Sequence, residues 1–438
     1  MTPAARARVV HMPLDAGAQA LARDDRFGHA LVVFWHAGMP LGQLLLHETH
    51  LPLTAAQMAE AAAYAIEPAL GWRLFPAGFN PRWPDHLWRV LVRAEPAPLG
   101  AVLACDDPLD RLTHAADDAA ATGEGVSVVV CTRDRADLLA NCLAHIQACR
   151  PCADEIIVVD NAPRDDSTRR LVASLSGVRY IREERAGLSR ARNAGIRASA
   201  GAIVAFTDDD AAVHPSWIGA LRRAMRDPGV ASATGLVLPA ALDTEARWRF
   251  EMEFGGFGQG YRSMRFDERF VEATARWGVP VWRIGAGANM ALRRSAVEEV
   301  GGYDERLGAG AAGCSEDSEM WHRLLVAGHA CVYEPSAVVM HSHREDMQGL
   351  REQMRAYMRG HVAALLVQAE RHALRGPLWR LLVSLPAYYL RRLVRDRSAL
   401  VSGRDPTYWQ ELRGMLEGVV YYARNRRVPG VPSLKSRP

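Results

Sequence analysis

The sequence predicts an α/β protein built on a doubly wound, mostly parallel sheet with helices on both faces. Three observations predict it. From Val126 onward, runs of β-branched residues alternate with helical stretches, the order that builds parallel strands joined by crossover helices. Those runs are apolar throughout rather than alternating, as strands covered on both faces are. Polar clusters follow three of the runs at their carboxyl ends, where open α/β sheets bind ligands.

The elements follow in order. Residues 1–105 read as a small α+β unit with no visible chemistry. "ALVVFWHAGMPLGQLLL" turns at Gly38-Met39-Pro40 like a hairpin, and "TAAQMAEAAAYAIEPAL" reads as a helix with Thr54 as its N-cap. Residues 106–125 are polar and rich in small residues, the composition of a linker. "VSVVVC" is the first strand of the main sheet, followed by "TRDR" and the helical "ADLLANCLAHIQAC". "EIIVVD" is the second strand, and "DDSTRRLVASL" a helix with acidic residues at its start, as the macrodipole favours. "VRYIRE", "LSRARNAGIRASA" and "AIVAF" give a strand, a helix and a strand. "PSWIGALRRAM" opens a helix with Pro215 in its first turn. From residue 351 the chain reads as helical.

Composition sets bounds. The chain has 438 residues, of which 49% are hydrophobic and 24% charged, ordinary globular values. Net charge is only +3, but from residue 351 onward 17 Arg or Lys stand against 6 Asp or Glu. Such a basic tail suits an anionic membrane or nucleic acid; no nucleic-acid recognition fold accompanies it, so nucleic acid is not expected as a partner. Seven cysteines without framework spacing point to a reduced, cytoplasmic protein. Cys149 and Cys152 form a CxxC with no second pair at zinc spacing and read as ordinary thiols. No apolar stretch reaches the length of a spanning helix, and the first residues carry no signal-peptide pattern.

Thr132 to Arg135, Asp160-Asn161 and Asp208-Asp209-Asp210 fall at the ends of strands one, two and four. Three adjacent carboxylates repel one another and raise each other's pKa unless a cation is present. Mg²⁺ and Mn²⁺ prefer carboxylate oxygens and keep positions open for phosphates. The triplet therefore suggests a divalent ion bridging to a diphosphate, against the plainer reading of a helix cap with solvated neighbours. Asp160 suits a base or ribose hydroxyl, or equally a turn start. Arg190 and Arg192 could offer forked donors to phosphate oxygens. Gly285 to Asn289, including Gly287, reads as part of a sugar or acceptor pocket where backbone approaches ligand. "FGGFGQGYRS" reads as a loop able to close over a donor. "SEDSEMWHRLLVAG" is by itself an amphipathic helix with an acidic first turn and Ser315 as N-cap.

Taken together, "VSVVVCTRDR", "EIIVVDNA", "GLSRARNAGI" and "FTDDD", then "GAGANMALRRSAVEEVGGYDERLGAG", "SEDSEMWHRLLVAG" and "VVMHSHRE", resemble in order and spacing a bacterial-type family 2 glycosyltransferase. The resemblance spans residues 126–345. It implies the GT-A fold, a Rossmann-like sheet, and inverting transfer of a sugar from a nucleotide-diphosphate sugar to an acceptor hydroxyl, in cell-surface polysaccharide or glycolipid synthesis. It implies Thr132 and Asp160 as nucleotide ligands, Asp208 and Asp210 as the DxD pair holding Mg²⁺ or Mn²⁺, and Asp317, preceded by Glu316, as the base. A downstream His often completes such a metal site; His341 and His343 both qualify. Thr132, Arg135, Asp160, Arg192, Asp208 and Asp209 are thus expected on the donor, Gly287, Asn289 and Glu316 in the acceptor pocket, and Asp208, Asp210 and His341 on the metal. The QxxRW signature of processive polymerases is absent.

Two rival functions are open from the sequence. A nucleotidyltransferase would attack the α-phosphate and need a glycine-rich loop after strand one, where "CTRDRAD" has no glycine. A non-catalytic scaffold would not need Asp160, Asp208, Asp210 and Asp317. The tail (residues 346–438) carries Trp379, Tyr388, Tyr389, Trp409, Tyr421 and Tyr422, which suit a membrane interface. A peripheral place on the cytoplasmic face of the inner membrane and a lipid-linked acceptor follow as expectations, against a helical layer packed on the catalytic domain.

Overall fold

The computed structural model describes residues 6–74, 108–109, 111–112, 123–372, 375–395 and 407–434. Most of the expected linker, and residues 75–105 of the N-terminal unit, lie outside the described residues.

The N-terminal unit is a three-stranded sheet under one helix. β1 (Ala7–Pro13) runs parallel to β2 (His29–His36), which pairs antiparallel with β3 (Met39–His47). The hairpin turns on Ala37 and Gly38, both with positive φ, one residue earlier than the sequence suggests; Met39 and Pro40 already belong to β3. The helix Ala55–Leu74 starts with a reciprocal cap. Gln57 N–H donates to Thr54 Oγ1 at 3.3 Å and Thr54 N–H to Gln57 Oε1 at 3.0 Å, the capping-box exchange. Val33 and Trp35 join the main core, and the Trp35 ring stacks on His214 at 5.1 Å.

The main sheet contains β4 (Val126–Thr132), β5 (Glu155–Asn161), β6 (Val178–Glu183), β7 (Ile203–Asp208), β8 (Ala211–Val213), β9 (Val230–Pro239), β10 (Met264–Phe266), β11 (Asn289–Arg293) and β12 (Ala330–His341). Their order is β10-β12-β9-β11-β7-β4-β5-β6, with β8 on β12. β7, β4, β5 and β6 are parallel, as the apolar runs predict. The other half is mixed. β11 enters antiparallel between β7 and β9, and β9 pairs parallel with β12.

Both faces of the parallel half are buried at β4, β5 and β7; the edge strand β6 is only partly covered. Val128, Val129 and Val130 of β4, and Ile157, Val158 and Val159 of β5, are inaccessible; full burial of such a side chain contributes about 1.5–3 kcal/mol. The alternate valines enter two different cores, one on each face. The helix Leu188–Ala198 lies so close to β4 that a Cβ on Gly195 would overlap the Val129 side chain. The small residues of "RARNAG" are there for that approach. The helix expected from Pro215 begins at Trp217; Pro215 stands ahead of it, its carbonyl accepting from Arg150 N–H at 2.8 Å.

After β12 the chain runs into the long helix Met347–His372. Then come a short helix Arg375–Trp379, a wide π turn Arg380–Ser384 and the helix Leu385–Arg395. The helix Tyr408–Asn425 packs along the long one, so closely that a Cβ on Gly414 would overlap the Arg355 carbonyl. Residues 428–434 then return as an extended strap. Gly430 O accepts from Glu305 N–H at 2.6 Å, Pro432 O accepts from Gly302 N–H at 3.0 Å, and Leu434 is buried in the main core. No described helix is long and apolar enough to cross a membrane.

Candidate functional site

Register brings the polar clusters together. Thr132, at the end of β4, stands opposite Asp160 at the end of β5, and Cys131 stands opposite Asp208 at the end of β7. β12 ends at His341, opposite Ala211 of β8. The strand expected to stop at Phe206 continues through Asp208, so the acidic triplet straddles the sheet edge itself.

The three aspartates have different surroundings. Asp209 is buried; it accepts from Thr132 Oγ1–H at 2.7 Å and from Arg135 Nη1 at 2.7 Å. Burial pushes it up to about 6 against the pull of Arg135. Arg135 Nη1 also donates to Asp210 Oδ2 at 2.9 Å. Thr132 and Arg135, expected on the nucleotide, thus also fasten the triplet, although both line the cleft. Asp208 and Asp210 point toward His341, whose Nε2 lies 3.3 Å from Asp210 Oδ1 and 3.9 Å from Asp208 Oδ2. Burial works against the charged form of Asp210, but His341 and Arg135 outweigh it and hold the carboxyl at about 2. Burial likewise opposes a charge on His341, and the two carboxylates raise it nonetheless.

Asp208, Asp210 and His341 offer ligand atoms all within 4.8 Å of one another. Two carboxylate oxygens and an imidazole suit Mg²⁺ or Mn²⁺. Geometry separates the two histidines that the sequence left open. His343 Nε2 lies 3.1 Å from Glu251 Oε2, and its ring packs on Phe250 at 4.7 Å. His341 alone faces the aspartates; the Phe257 ring stands against it at 5.4 Å, and its Nδ1 is buried without a partner.

Across the cleft begins the helix Glu316–Val326. Ser315 occupies its N-cap position with φ +67° but makes no side-chain cap; its hydroxyl lies 3.1 Å from Cys314 Sγ. Asp317 satisfies the local donors instead. Its Oδ1 accepts from Ser318 N–H at 2.6 Å and its Oδ2 from Gly287 N–H at 2.8 Å. A Cβ at Gly287 would sit 2.9 Å from both Asp317 Oδ2 and Arg192 Nη2, so the bare backbone there is required.

Arg192 is buried and committed within the protein. Its Nη1 donates to Glu316 Oε1 at 2.6 Å and its Nη2 to the Gly287 carbonyl at 3.2 Å, with Asp208 at 3.8 Å. It therefore links the two acidic sides of the cleft. Burial pushes Glu316 up to about 7 despite Arg192, and its Oε2 has no partner. Arg190 points away, to Glu305 at 3.0 Å.

Two expected residues sit differently from the rest. Asp160 is fully buried; Tyr180 O–H donates to its Oδ2 at 2.9 Å, while its Oδ1 has no partner. Burial raises its pKa, a cost that a ligand hydroxyl or amine would offset. Asn289, expected in the acceptor pocket, is not part of the cleft wall. It is buried between strands, donating to Leu236 O at 3.0 Å and Ala337 O at 2.8 Å and accepting from Trp217 Nε1–H at 2.8 Å. Those three bonds fasten β11 to its neighbours. The neighbouring Ala286, Gly287 and Ala288 do line the cleft.

The cleft has a volume of about 1750 Å³. Its donor-side wall carries Thr132, Arg135, Asn161 and the acidic triplet; loop residues Phe254–Gln259 cover one flank. Asn161 was not singled out as a ligand. It holds the turn before the helix Leu188–Ala198, donating to Arg185 O and accepting from Gly187 N–H, both at 2.8 Å. The far wall comes from the C-terminal helices. Tyr357, Arg359, His361, Arg380 and Tyr388 all face in, so the region read as lying outside the catalytic domain closes its cleft. Of the six tail aromatics, Trp379, Tyr388 and Trp409 are exposed, whereas Tyr389 is buried against Glu411 and Tyr421 and Tyr422 pack on an internal cluster.

The family model for glycosyl transferase family 2 matches residues 127–301. The glycosyltransferase AglE of Haloferax volcanii is 26% identical over 237 residues, covering 52% of this chain and 71% of that protein. The pre-mycofactocin glycosyltransferase of Mycobacterium tuberculosis is 30% identical over 162 residues, covering 37% of this chain; the chain spans only 31% of that protein. A mannosyltransferase of Pyrobaculum calidifontis, solved with GDP-mannose and Mn²⁺, overlaps 70% of this chain and 89% of its own at a TM-score of 0.47 and 19% identity. The matched segment carries β4 through β11 and the acidic triplet, so residues 127–301 form a family 2 glycosyltransferase domain.

Proposed function

We propose that this protein transfers a sugar, with inversion, from a nucleotide-diphosphate sugar to an acceptor hydroxyl. The observation that carries the reading is one cleft with Asp208, Asp210 and His341 on one wall and the doubly anchored Asp317 on the other. Asp208, Asp210 and His341 would hold Mg²⁺ or Mn²⁺; such a cation, when bound, neutralises charge developing on a departing diphosphate. Asp160 offers its unpartnered Oδ1 to the nucleoside, beside Thr132 at the same edge. Asp317 takes the proton of the acceptor hydroxyl as that oxygen attacks the anomeric carbon. Its two backbone donors fix its orientation, so the proton transfer begins from one geometry. Attack from the side opposite the leaving group inverts the centre.

The acceptor reading extends to the bilayer. Leu382, Val383, Tyr388, Leu390 and Val394 are exposed together around the helix Leu385–Arg395, alongside Arg391 and Arg395. An apolar face rimmed by arginine suits the surface of an anionic cytoplasmic leaflet. A lipid-linked acceptor in surface polysaccharide or glycolipid synthesis would meet the cleft there.

The test is donor hydrolysis by the purified chain with Mn²⁺ across UDP-, GDP- and dTDP-sugars. Release of nucleoside diphosphate supports sugar transfer. Release of pyrophosphate would instead mark attack on the α-phosphate, and no turnover with any donor would overturn the reading.

A further inference from the structure

Arg380 faces the cleft without a carboxylate for company. Its guanidinium lies 3.8 Å above the Trp282 ring, and its Nε donates to His361 Nε2 at 3.2 Å. Among the described residues it makes no ion pair, and its charged neighbour is another cation, Arg283. Burial, with Arg283 adding to it, lowers Arg380 to about 10, and burial next to Arg380 lowers His361 to about 3. The histidine is therefore a neutral acceptor and cancels no charge.

The position is rigid. A Cβ on Gly376 would overlap the Ala275 carbonyl, so the segment before Arg380 is wedged against the sheet domain. Arg380 opens the π turn Arg380–Ser384, a distortion that recurs at functional sites. Ser384 and Tyr388, one and two turns on, also line the cleft. Trp282 lies five residues before Gly287, the backbone partner of Asp317. The cation thus lines the same cleft as the proposed base, on the wall supplied by the C-terminal helices. A half-buried cation in a cleft is normally paired, and guanidinium matches the fork of a phosphate.

We propose that Arg380, seated on Trp282, is an anion subsite that receives a phosphate group carried by the sugar acceptor. The assignment rests on the glycosyltransferase reading and adds the chemical class of the acceptor. The same phosphate could belong to a soluble sugar phosphate or to a membrane lipid. Arg359 also lines the cleft and has no ion pair among the described residues; its Nε donates to the Ala312 carbonyl at 2.7 Å. Trp379, Leu382 and Val383 flank Arg380 on the outside, so either source has an approach.

The experiment titrates the full chain in EDTA, which silences the metal-dependent donor site. Glucose 1-phosphate is followed by calorimetry, and phosphatidylcholine vesicles with and without phosphatidic acid by cosedimentation. Wild type, R380Q, R380K and Asp208→Asn are compared. R380Q should weaken binding at least about tenfold in one arm, R380K should keep most of it, and Asp208→Asn should bind as wild type. Binding in the calorimetric arm identifies a soluble sugar phosphate, and phosphatidic acid dependence identifies a lipid. Should R380Q fail to fold, hydrogen exchange on wild type decides: protection of residues 375–395 by either phosphate supports the subsite. No phosphate binding in either arm, or R380Q equal to wild type in both, overturns it. Absence of donor turnover by wild type with Mn²⁺ and any donor would instead sink the transferase reading and leave the phosphate result standing.

Discussion

Asp317 Oδ2 and the Gly287 N–H meet at 2.8 Å, which ties the proposed base to a loop position where an added Cβ would press on Asp317 and Arg192. Replacing Asp317 by Asn keeps one of the two acceptor oxygens, turns an amide NH2 toward the other N–H, and removes the proton acceptor. Steady-state kinetics should show kcat reduced by about 10²–10⁴-fold with donor KM little changed, and thermal unfolding should stay cooperative with a loss of no more than about 1–3 kcal/mol for the one unmatched N–H. Gly287→Ala should lower kcat as well, since the new methyl displaces Asp317 or Arg192.

The metal triad makes a sharp contrast between the two histidines. His341→Ala should weaken Mn²⁺ binding, read by electron paramagnetic resonance, by at least about tenfold, as should Asp208→Asn. His343→Ala, which leaves Glu251 without its partner, should shift Mn²⁺ affinity far less. Equal losses at both positions would refute the assignment of His341. Removing divalent cations with EDTA should abolish transfer, and Mn²⁺ should restore it.

Asn289→Ala tests the strut. It leaves the Trp217 indole N–H and two strand carbonyls unpaired inside the protein. Each buried group so stranded costs about 1–3 kcal/mol, so urea unfolding should register a loss of several kcal/mol. The surviving folded fraction should still bind Mn²⁺ like wild type. A stability within error of wild type would show that the amide does not bind β11 to its neighbours.

Glu316 supplies a pH signature. Burial raises it from its ordinary 4.5 to about 7, so the native state favours the protonated form. The resulting stability is complete below about pH 4.5 and is lost as pH rises through about 7. At about 1.4 kcal/mol per unit, the loss is at most about 3.5 kcal/mol. Glu316→Gln, neutral throughout, should flatten the metal-free stability curve between those values. A wild-type curve already flat there would disprove it.

The parallel half of the sheet was legible because β4, β5 and β7 are buried on both faces and so are written in valine, isoleucine and other apolar residues, while the edge strand β6 is only partly covered. The edge clusters were legible for the same reason: Thr132, Asp160 and Asp208 each interrupt such a run where it must end. His341 and His343 could not be separated, since residues two apart share a strand face and the deciding partner, Glu251, lies about ninety residues away. Asn289 misled because it adjoins the glycine loop yet is the first residue of β11, whose antiparallel insertion no local pattern announces. The return of Arg380 over Trp282 was invisible: stacking between segments a hundred residues apart leaves no periodicity to read.

The strap of residues 428–434 bears on how the cleft comes into being. It holds Gly302 and Glu305 through the carbonyls of Pro432 and Gly430, and the loop it holds receives Ser189 Oγ at the Leu307 carbonyl, 2.7 Å away. A nascent chain that has already emerged with its acidic triplet and its glycine turn still lacks the clasp on that loop. Gly430 through Leu434 must be present for that clasp to form, so the loop just after the matched segment takes its support from residues far later in the sequence.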